Sequence, residues 1–307
     1  MQIQPTEKIW KNGKLVDWKD ATVHVMTHGL HYGTGAFEGI RCYSTSDGPA
    51  IFRLREHMER FHSSGKAINL RIPYTVDQLC AATKETVKAN KLDSCYIRPI
   101  SFFGVQGMGV NPIGYPVETF IISFPLGAYL GDEGMKNGIR VHTSSWHRVG
   151  SGMVPATAKV CGNYLNGALA VMEAKLNGFD ETIMLNELHM VAEGSGENIF
   201  LVRKGKILTP PLNAGILPGI TRDSIMVLAK EMGYELIEQN FSRAELYGAD
   251  ELFFTGTAAE VTPIREVDRR LVGDGSPGPM TKALQSRFLD IVRGKDVRYA
   301  SWLDLVK

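Results

Sequence analysis

The sequence predicts an α+β protein built from two domains. Both halves of the chain contain strand patterns and helix patterns, and these do not alternate as the regular repeats of a parallel sheet. With 307 residues, the chain is longer than the roughly 100–200 residues of a typical domain. A glycine-rich segment, LGAYLGDEG at 126–134, separates the two patterns. We therefore expect a small N-terminal domain over 1–125, an interdomain loop over 126–133 and a large C-terminal domain over 134–307.

Local patterns indicate several elements in the first half. Runs of apolar, β-branched and aromatic residues are typical of strands, and apolar residues recurring every three or four positions are typical of helices. Asn12-Gly13 is a pair favoured in two-residue hairpin turns. The predicted elements are a hairpin over 8–16, helices over 54–68 and 76–91, and strands over 95–103 and 118–126.

The second half is predicted to hold two longer helices among short strands. The helices, over 163–177 and 222–232, are followed by Gly178 and Gly233, and Thr221 is the expected N-cap of the second. One apolar stripe on the first helix is typical of a face packed on a core, and it comprises Leu165, Ala168, Leu169, Met172 and Leu176. The strands are expected over 138–145, 181–186, 190–194, 198–202, 206–210 and 251–256.

The composition argues against several classes of protein. Lysine and arginine number 34 against 33 aspartate and glutamate, and a net charge of +1 argues against nucleic acid as the main partner. No apolar run of about 18 residues could span a membrane, and the N-terminus lacks the apolar core of a signal peptide. Cys42, Cys80, Cys95 and Cys161 form no C-x-x-C pair. They are interpreted as reduced thiols, so we expect a cytoplasmic protein without a nucleic-acid or membrane partner.

Familiar metal and nucleotide motifs are incomplete. His24, His28 and His31 resemble a metal spacing, but Gly29 and Gly33 disfavour a helix that would align them, and the segment holds no carboxylate. GSGENI and GTGAFEG lack the third glycine of a dinucleotide motif, and no Gly-Lys pair is followed by the Ser or Thr of a P-loop. No metal is therefore expected.

Lys159 is the most informative single residue. It is the only charged side chain between Val149 and Met172. A lysine among small and apolar residues is expected to be partly buried, and burial disfavours the ammonium form. Sites that lower a lysine pKa generally use the neutral amine as a nucleophile toward a carbonyl. The alternative is an ordinary lysine at a helix start, with its head group at the surface.

Two turns are rich in hydrogen-bond donors. In LPGITRD at 217–223, a Pro-Gly pair leads into a helix N-terminus, where backbone N–H groups and the helix dipole favour phosphate, and Thr221 adds a hydroxyl. In TGTAA at 255–259, Gly256 allows close approach and Thr257 offers two donors. Taken singly, the first turn is better explained as an ordinary capped helix and the second as a polar loop after a strand.

Three further charged residues complete the candidate set. Glu193 stands at the end of an apolar strand, before the small residues GSG, and could hold a proton on the nitrogen of a flat pyridine ring; a solvated glutamate in a turn is the alternative. Arg60 lies on a predicted helix and could bind phosphate or simply be exposed. Arg98, in the apolar strand CYIRPISFF, needs an anionic partner, either structural or the carboxylate of a ligand.

The order of these pieces resembles that of the branched-chain amino acid aminotransferases, which are fold-type IV pyridoxal phosphate enzymes. The resemblance extends from about Ile9 to the C-terminal WLDLV. It rests on HYGTGAFEGIRCY (31–43), REHMERF (55–61), YIRP (96–99), GMGVNP (107–112), AKVCGNYLN (158–166), EGSGENIF (193–200), LPGITRD (217–223) and GTAAEVTP (256–263). It implies the two-domain α+β fold of the D-amino acid aminotransferase-like proteins. Leu126 departs from the family, since many bacterial members carry an aromatic residue there.

The resemblance also implies roles for individual residues. Lys159 would carry pyridoxal 5′-phosphate covalently and move the proton between the substrate and the cofactor. The other cofactor-binding residues would be Arg60, Tyr164, Glu193, Leu217, Gly219, Ile220, Thr221, Gly256 and Thr257. The substrate would be bound by Tyr32, Phe37, Tyr96, Arg98, Val110, Tyr129, Thr257, Ala258 and Ala259. Among these, Tyr96, Thr257 and Ala258 would meet the α-carboxylate, and Arg98 the distal carboxylate of glutamate.

The implied reaction is transamination of L-leucine, L-isoleucine or L-valine with 2-oxoglutarate, in two half-reactions. In this family Val110 comes from the neighbouring subunit, so a homodimer, alone or in a trimer of dimers, would complete each site. Rivals with the same fold are a D-amino acid transaminase and an aminodeoxychorismate lyase, and FEGIRCY, YIRP and GMGVNP argue against both. A non-catalytic cofactor-binding protein would bind the cofactor without forming a keto acid.

Overall fold

The computed structural model describes residues 3–127 and 129–307, and the chain divides into two compact units. The first unit comprises Met1–Leu126, Ala158–Gly162 and Asp290–Lys307, and the second comprises Gly127–Thr157 and Asn163–Leu289. Residues that are distant in sequence thus belong to the first unit, including the segment with Lys159. The continuous domain ranges given above stay a prediction.

The first unit is built on an eight-stranded antiparallel sheet. Its strands are β1 (Lys8–Lys11), β2 (Lys14–Asp17), β3 (Gly35–Phe37), β4 (Ile40–Thr45), β5 (Gly48–Phe52), β6 (Cys95–Phe103), β7 (Val117–Phe124) and, from the end of the chain, β17 (Leu303–Leu305). The order is β17-β5-β4-β6-β7-β1-β2, and β3 pairs with β6. The hairpin β1–β2 turns at Asn12 and Gly13, whose φ angles of 49° and 95° are those a primed turn requires.

Three helices accompany this sheet: α1 (His28–Tyr32), α2 (Leu54–Ala67) and α3 (Val76–Ala89). Helices α2 and α3 contact each other, and Leu54, Met58 and Phe61 of α2 are fully buried in the core of the unit, as the sequence pattern predicts. Thr75 caps α3 in a capping box with Gln78. The segment with Lys159 joins the sheet through a bridge between Ala36 and Val160.

The second unit is built on a nine-stranded mixed sheet. Its strands are β8 (Ile139–Thr143), β9 (Glu181–Leu185), β10 (Val191–Gly194), β11 (Asn198–Arg203), β12 (Lys206–Thr209), β13 (Glu235–Glu238), β14 (Glu251–Gly256), β15 (Glu260–Val267) and β16 (Arg270–Leu271). The order is β10-β9-β8-β15-β14-β11-β12-β13, and β16 pairs with β15. The pairs β8–β9, β8–β15 and β12–β13 are parallel. The two sheets with their helices confirm the α+β prediction.

The remaining helices are α4 (Asp132–Asn137), α5 (Tyr164–Leu176), α6 (Ile220–Glu231), α7 (Arg243–Leu246) and α8 (Pro279–Val292). Short 3-10 helices lie at Trp18–Asp20, Cys161–Asn163, Leu212–Ala214 and Val297–Trp302. Within residues 3–127 and 129–307, no helix combines the length and the apolar character that crossing a bilayer requires.

The predicted packing face of α5 is wrong. Its buried residues are the small Gly167, Ala170 and Ala174, whereas Met172 and Leu176 of the apolar stripe are 51% and 89% exposed. The reason is the close approach of the helix to its neighbours: a Cβ at Gly167 would lie 2.4 Å from the carbonyl oxygen of Ser195. Only small side chains fit on that face, so most of the stripe points outward; Leu165 and Ala168 are exposed as well, and Leu169 is half-buried.

The predicted start of α6 is also wrong, by two residues. The helix begins at Ile220 and its N-cap is Gly219, with extended φ and ψ of −70° and 132°. Thr221 therefore lies in the first turn instead of capping it, and it is buried.

Candidate active site

Lys159 is held rigidly within the first unit by its own backbone. Its N–H donates to Ser64 Oγ of α2 at 2.9 Å, and its carbonyl accepts from the N–H of Phe37 at the end of β3 at 3.1 Å. The residue is only 9% exposed. One strand end and one helix therefore fix the backbone of Lys159.

The surroundings of Lys159 raise the fraction of neutral amine above that of an ordinary lysine. Burial, the largest cause, and the positive charge of Arg60 together lower the pKa of Lys159 from 10.5 to about 8, while the carboxylate of Glu38 opposes the shift. At pH 7 a pKa of 8 leaves about a tenth of the molecules with a neutral amine, roughly 300-fold more than an ordinary lysine. The expectation of a buried lysine with a lowered pKa is borne out by this environment.

Three predicted site residues gather around Lys159. The Lys159 Nζ lies 4.9 Å from the ring centroid of Phe37, and the guanidinium carbon of Arg98 lies 4.7 Å from the same centroid. Arg98 Nη2 donates to the hydroxyl of Tyr96 at 3.0 Å. Phe37, Tyr96 and Arg98 thus form an apolar and cationic wall beside the amine.

The contacts of Arg98 bear on whether its anionic partner is a residue of the protein or the carboxylate of a ligand. Its described contacts are the Tyr96 hydroxyl and the rings of Phe37 and Tyr96, and none is a carboxylate. Arg98 Nε is buried without a hydrogen-bond partner among the described residues. A buried, unsatisfied donor on a charged group costs about 1–3 kcal/mol or more, which favours a ligand anion over a structural one.

Arg60 lies on α2 and binds a residue that the sequence analysis did not select. Its Nε and Nη2 donate to Oε1 and Oε2 of Glu38 at 2.7 and 2.8 Å, and His57 Nδ1 lies 2.8 Å from Oε2. Burial by itself would raise the pKa of Glu38, but the charge of Arg60 and the hydrogen bonds from Arg60 and His57 outweigh it and hold the pKa well below its usual range. The available signal was the i, i+3 spacing of His57 and Arg60, which places both on one helix face.

In the second unit, Glu193 is anchored from three sides. It accepts from Arg148 Nε at 2.7 Å on Oε1, and from Asn198 Nδ2 and the Leu217 N–H, each at 3.0 Å, on Oε2. The residue is 5% exposed and lies within β10, so the alternative of a solvated glutamate in a turn is wrong. Arg148 and Asn198 carried no sequence signal, because their relation to Glu193 arises only from the sheet and its loops.

One recess of the second unit brings together several predicted residues. Glu193, Tyr164 and Leu217 line it. The other lining residues are Arg148, Asn163, Ser195, Gly196, Glu197 and Asn198. Asn198 also donates to the Leu217 carbonyl at 2.9 Å, so the same amide fixes the carboxylate and the chain opposite it.

The two donor-rich turns approach this recess through glycines. A Cβ at Gly219 would lie 2.0 Å from Asn198 Oδ1, so only glycine fits at the start of α6, ahead of Ile220. Gly256 ends β14, and a Cβ at this position would lie 3.5 Å from Glu197 Cγ. Thr257, Ala258 and Ala259 form the turn that follows.

Three predicted substrate residues are largely exposed. Tyr32, Val110 and Tyr129 are 45%, 75% and 47% exposed. Their assignment to a substrate pocket stays a prediction.

Among the described residues, no group of three or more His, Cys, Asp or Glu side chains could hold a metal ion. His28 instead hydrogen-bonds Thr34 and the Gly109 carbonyl.

Comparison with known proteins gives one consistent result. The sequence model of the family amino-transferase class IV matches residues 35–267. The chain is 48% identical to the branched-chain-amino-acid aminotransferase of Escherichia coli (strain K12), over 100% of this chain and 99% of that protein. A crystal structure of the Escherichia coli branched-chain amino acid aminotransferase resembles it with a TM-score of 0.96 and 48% identity, covering 98% of this chain and 100% of that chain. The branched-chain amino acid aminotransferase of Thermobaculum terrenum, solved in its PLP-bound holo form, gives a TM-score of 0.92 at 38% identity, with 99% of each chain covered.

Proposed function

Because this chain belongs to the class IV aminotransferases, and among them to the branched-chain-amino-acid aminotransferases, we propose that it transfers the amino group of L-leucine, L-isoleucine or L-valine to 2-oxoglutarate. The products are the branched 2-oxo acid and L-glutamate. The observation that carries the proposal is a buried lysine with a pKa lowered to about 8, in a chain that matches these enzymes over its whole length.

The cofactor of the family is pyridoxal 5′-phosphate, and the residues present fit it. A buried amine is available for its aldehyde, an anchored carboxylate for its ring nitrogen, and glycine-lined turns for its phosphate. When bound, the cofactor supplies an electron-accepting ring that stabilises negative charge at the substrate α-carbon and stores the amino group between the two half-reactions.

Lys159 has two tasks in this proposal. With the cofactor bound, its Nζ would hold the cofactor's aldehyde and would move the proton between the substrate α-carbon and the aldehyde carbon. Both tasks need a neutral amine at some stage, which the burial of the residue provides. Hydrogen bonds to Ser64 Oγ and from the Phe37 N–H hold the backbone from which this side chain projects.

The cofactor-binding residues act by position and charge. Glu193, which accepts hydrogen bonds from Arg148 and Asn198, would hold a proton on the pyridine nitrogen, and Tyr164 would donate to the phenolic oxygen. Leu217 packs against the ring. The phosphate is assigned to Arg60, Ile220, Thr221 and Thr257, with Gly219 and Gly256 permitting close approach.

The substrate residues divide by chemistry. Tyr96, Thr257 and Ala258 bind the α-carboxylate, and Arg98 meets the distal carboxylate of glutamate. The apolar side chains of leucine, isoleucine and valine are assigned to Tyr32, Phe37, Val110, Tyr129 and Ala259. An apolar wall contributes about 0.8 kcal/mol per buried methylene, so one pocket accepts all three.

The experiment that tests the function is spectroscopic. The purified protein should show the visible absorbance of a bound cofactor; L-leucine should bleach it and 2-oxoglutarate should restore it. Bleaching by D-alanine but not by L-leucine would identify a D-amino acid transaminase instead. A bound cofactor with no release of 4-methyl-2-oxopentanoate would identify a non-catalytic binding protein.

The proposed minimal assembly is a homodimer. Support comes from a set of exposed apolar side chains in the first unit, namely Val25, Leu30, Met108, Val110 and Ile113, each at least 62% exposed. A surface of this kind is typical of a protein interface. The Cys42, Cys80, Cys95 and Cys161 thiols are free, which supports the proposed cytoplasmic location.

Val110→Asp is expected to weaken the dimer, because it replaces an exposed apolar side chain of the proposed interface with a charge. Light scattering across a dilution series should show monomer at concentrations where the unmodified protein is dimeric. Val297→Asp is the matched control, since Val297 is 84% exposed but lies outside this set. Equal behaviour of the two variants would remove Val110 from the interface.

A further inference from the structure

A buried acid–base cluster lies beside Lys159, and no role has been given to its carboxylate. Glu38, between Phe37 and Gly39, is completely buried, and His57 is only 1% exposed. Arg60 is 12% exposed at its side chain. Carboxylates are almost never buried so completely unless they are paired with a cation or a hydrogen-bond donor.

The geometry of the cluster fixes the guanidinium of Arg60. Glu38 Oε1 and Oε2 accept from Nε and Nη2 of Arg60 at 2.7 and 2.8 Å, a bidentate contact that sets both the position and the plane of the group. The edge that meets Glu38 consists of Nε and Nη2, so Nη1 is turned away from the carboxylate.

Glu38 is itself held in place by two further donors. His57 Nδ1 lies 2.8 Å from Oε2, and the Gly39 N–H donates to the same oxygen at 3.2 Å. Burial lowers the pKa of His57, so the ring is neutral near pH 7 and donates its Nδ1 proton without adding a charge. The cluster therefore contains one negative and one positive group.

Helix α2 connects this cluster to Lys159. His57, Arg60 and Ser64 lie at i, i+3 and i+7 on one helix face, and Ser64 accepts the Lys159 N–H. Glu38 and Arg60 act on Lys159 in opposite directions, since the carboxylate favours the ammonium form and the guanidinium disfavours it. Removing either charge would leave the other unopposed next to the amine.

We propose that Glu38 is a positioning residue for recognition of the cofactor phosphate: its carboxylate fixes the guanidinium of Arg60 so that the Nη1 side meets the phosphate, while balancing the charge of Arg60 beside Lys159. This rests on the proposed function, which assigns the phosphate to Arg60. A free arginine side chain would have to be ordered when the cofactor binds, whereas one already held by a carboxylate binds without that loss.

The test compares two ligands that differ only in the phosphate. Full-length protein stripped of its resident cofactor is titrated with pyridoxal 5′-phosphate and with pyridoxal. The dissociation constant of pyridoxal divided by that of pyridoxal 5′-phosphate measures the phosphate contribution. Glu38→Gln is expected to reduce this ratio by about tenfold or more, because a neutral amide loses the charge-assisted contact to Arg60. The affinity for pyridoxal should change less than the affinity for the phosphate ester.

Two controls separate positioning from a general effect on the fold. Glu251→Gln alters another buried carboxylate, which accepts from the Thr281 N–H and hydroxyl, and it should leave the ratio unchanged. In an Arg60→Gln background, Glu38→Gln should have no further effect on the ratio, since Glu38 acts through Arg60. Should Glu38→Gln not fold, Glu38→Asp, which keeps the charge but shortens the reach, is expected to give a smaller loss.

The possible outcomes are distinct. An equal loss for both ligands, or an unchanged ratio in every folded Glu38 variant, would overturn the role of Glu38. Unmodified protein that binds neither ligand, or binds them equally, would instead contradict the proposed function and its assignment of the phosphate.

Discussion

Lys159→Ala is expected to lower kcat by at least about 10³–10⁴-fold, because alanine neither binds the aldehyde nor moves the proton. The fold should survive. Moving the lysine pKa from 10.5 to about 8 costs about 3 kcal/mol of stability at neutral pH, and alanine removes this cost while losing buried methylenes worth a similar amount. The cost is present below pH 8 and disappears as pH rises through 10.5, because only the unfolded chain binds the proton within that window.

The measurement is steady-state turnover with L-leucine and 2-oxoglutarate, together with thermal unfolding. Lys175→Ala is the control: its amine is exposed and donates to the Asp180 carbonyl, and the variant should keep full activity. Borohydride treatment of the unmodified holoenzyme should attach the cofactor to Lys159, and mass mapping locates it. Substantial activity in Lys159→Ala, or a label on another lysine, would contradict the central assignment.

Glu193→Gln is expected to reduce kcat by about 10²-fold or more, with the cofactor still bound. A neutral amide does not hold a proton on the pyridine nitrogen, so the ring withdraws electrons less strongly from the substrate α-carbon. The loss should fall on kcat more than on KM, because the charge it stabilises develops in the transition state. Arg148 also loses its carboxylate partner, which sits 2.7 Å away.

Glu251→Gln again serves as a control, as a buried glutamate of the second unit with no assigned part in the reaction. A Glu193→Gln enzyme with unchanged kcat would show that protonation of the ring is not controlled by this residue. Loss of cofactor binding without a change in kcat of the remaining holoenzyme would indicate a purely structural carboxylate.

Much of the fold follows from local sequence. The Asn12-Gly13 turn is predictable because few residue pairs adopt positive φ at both positions. Helix α2 and the long strand β6 are predictable because their apolar residues recur at the spacing that each geometry requires. The isolation of Lys159 among apolar residues likewise predicts its burial.

Other features depend on packing between distant segments. The apolar residues of α5 do lie on one face of the helix, but their periodicity does not show whether that face packs against the protein. The close approach at Gly167 excludes large side chains from the face that does pack. Arg148 and Asn198 come to Glu193 from separate loops and strands, so no spacing in the sequence relates them.

The sequence by itself determined the family, the reaction class, the burial of Lys159 and most elements, because these depend on residue identity and on local periodicity. Only the tertiary structure decided that Glu38, His57 and Arg60 form one buried cluster and that α5 turns its large apolar side chains outward. The physical reason is that hydrogen-bond partners and packing faces are chosen by three-dimensional proximity, which folding creates between residues far apart in the chain.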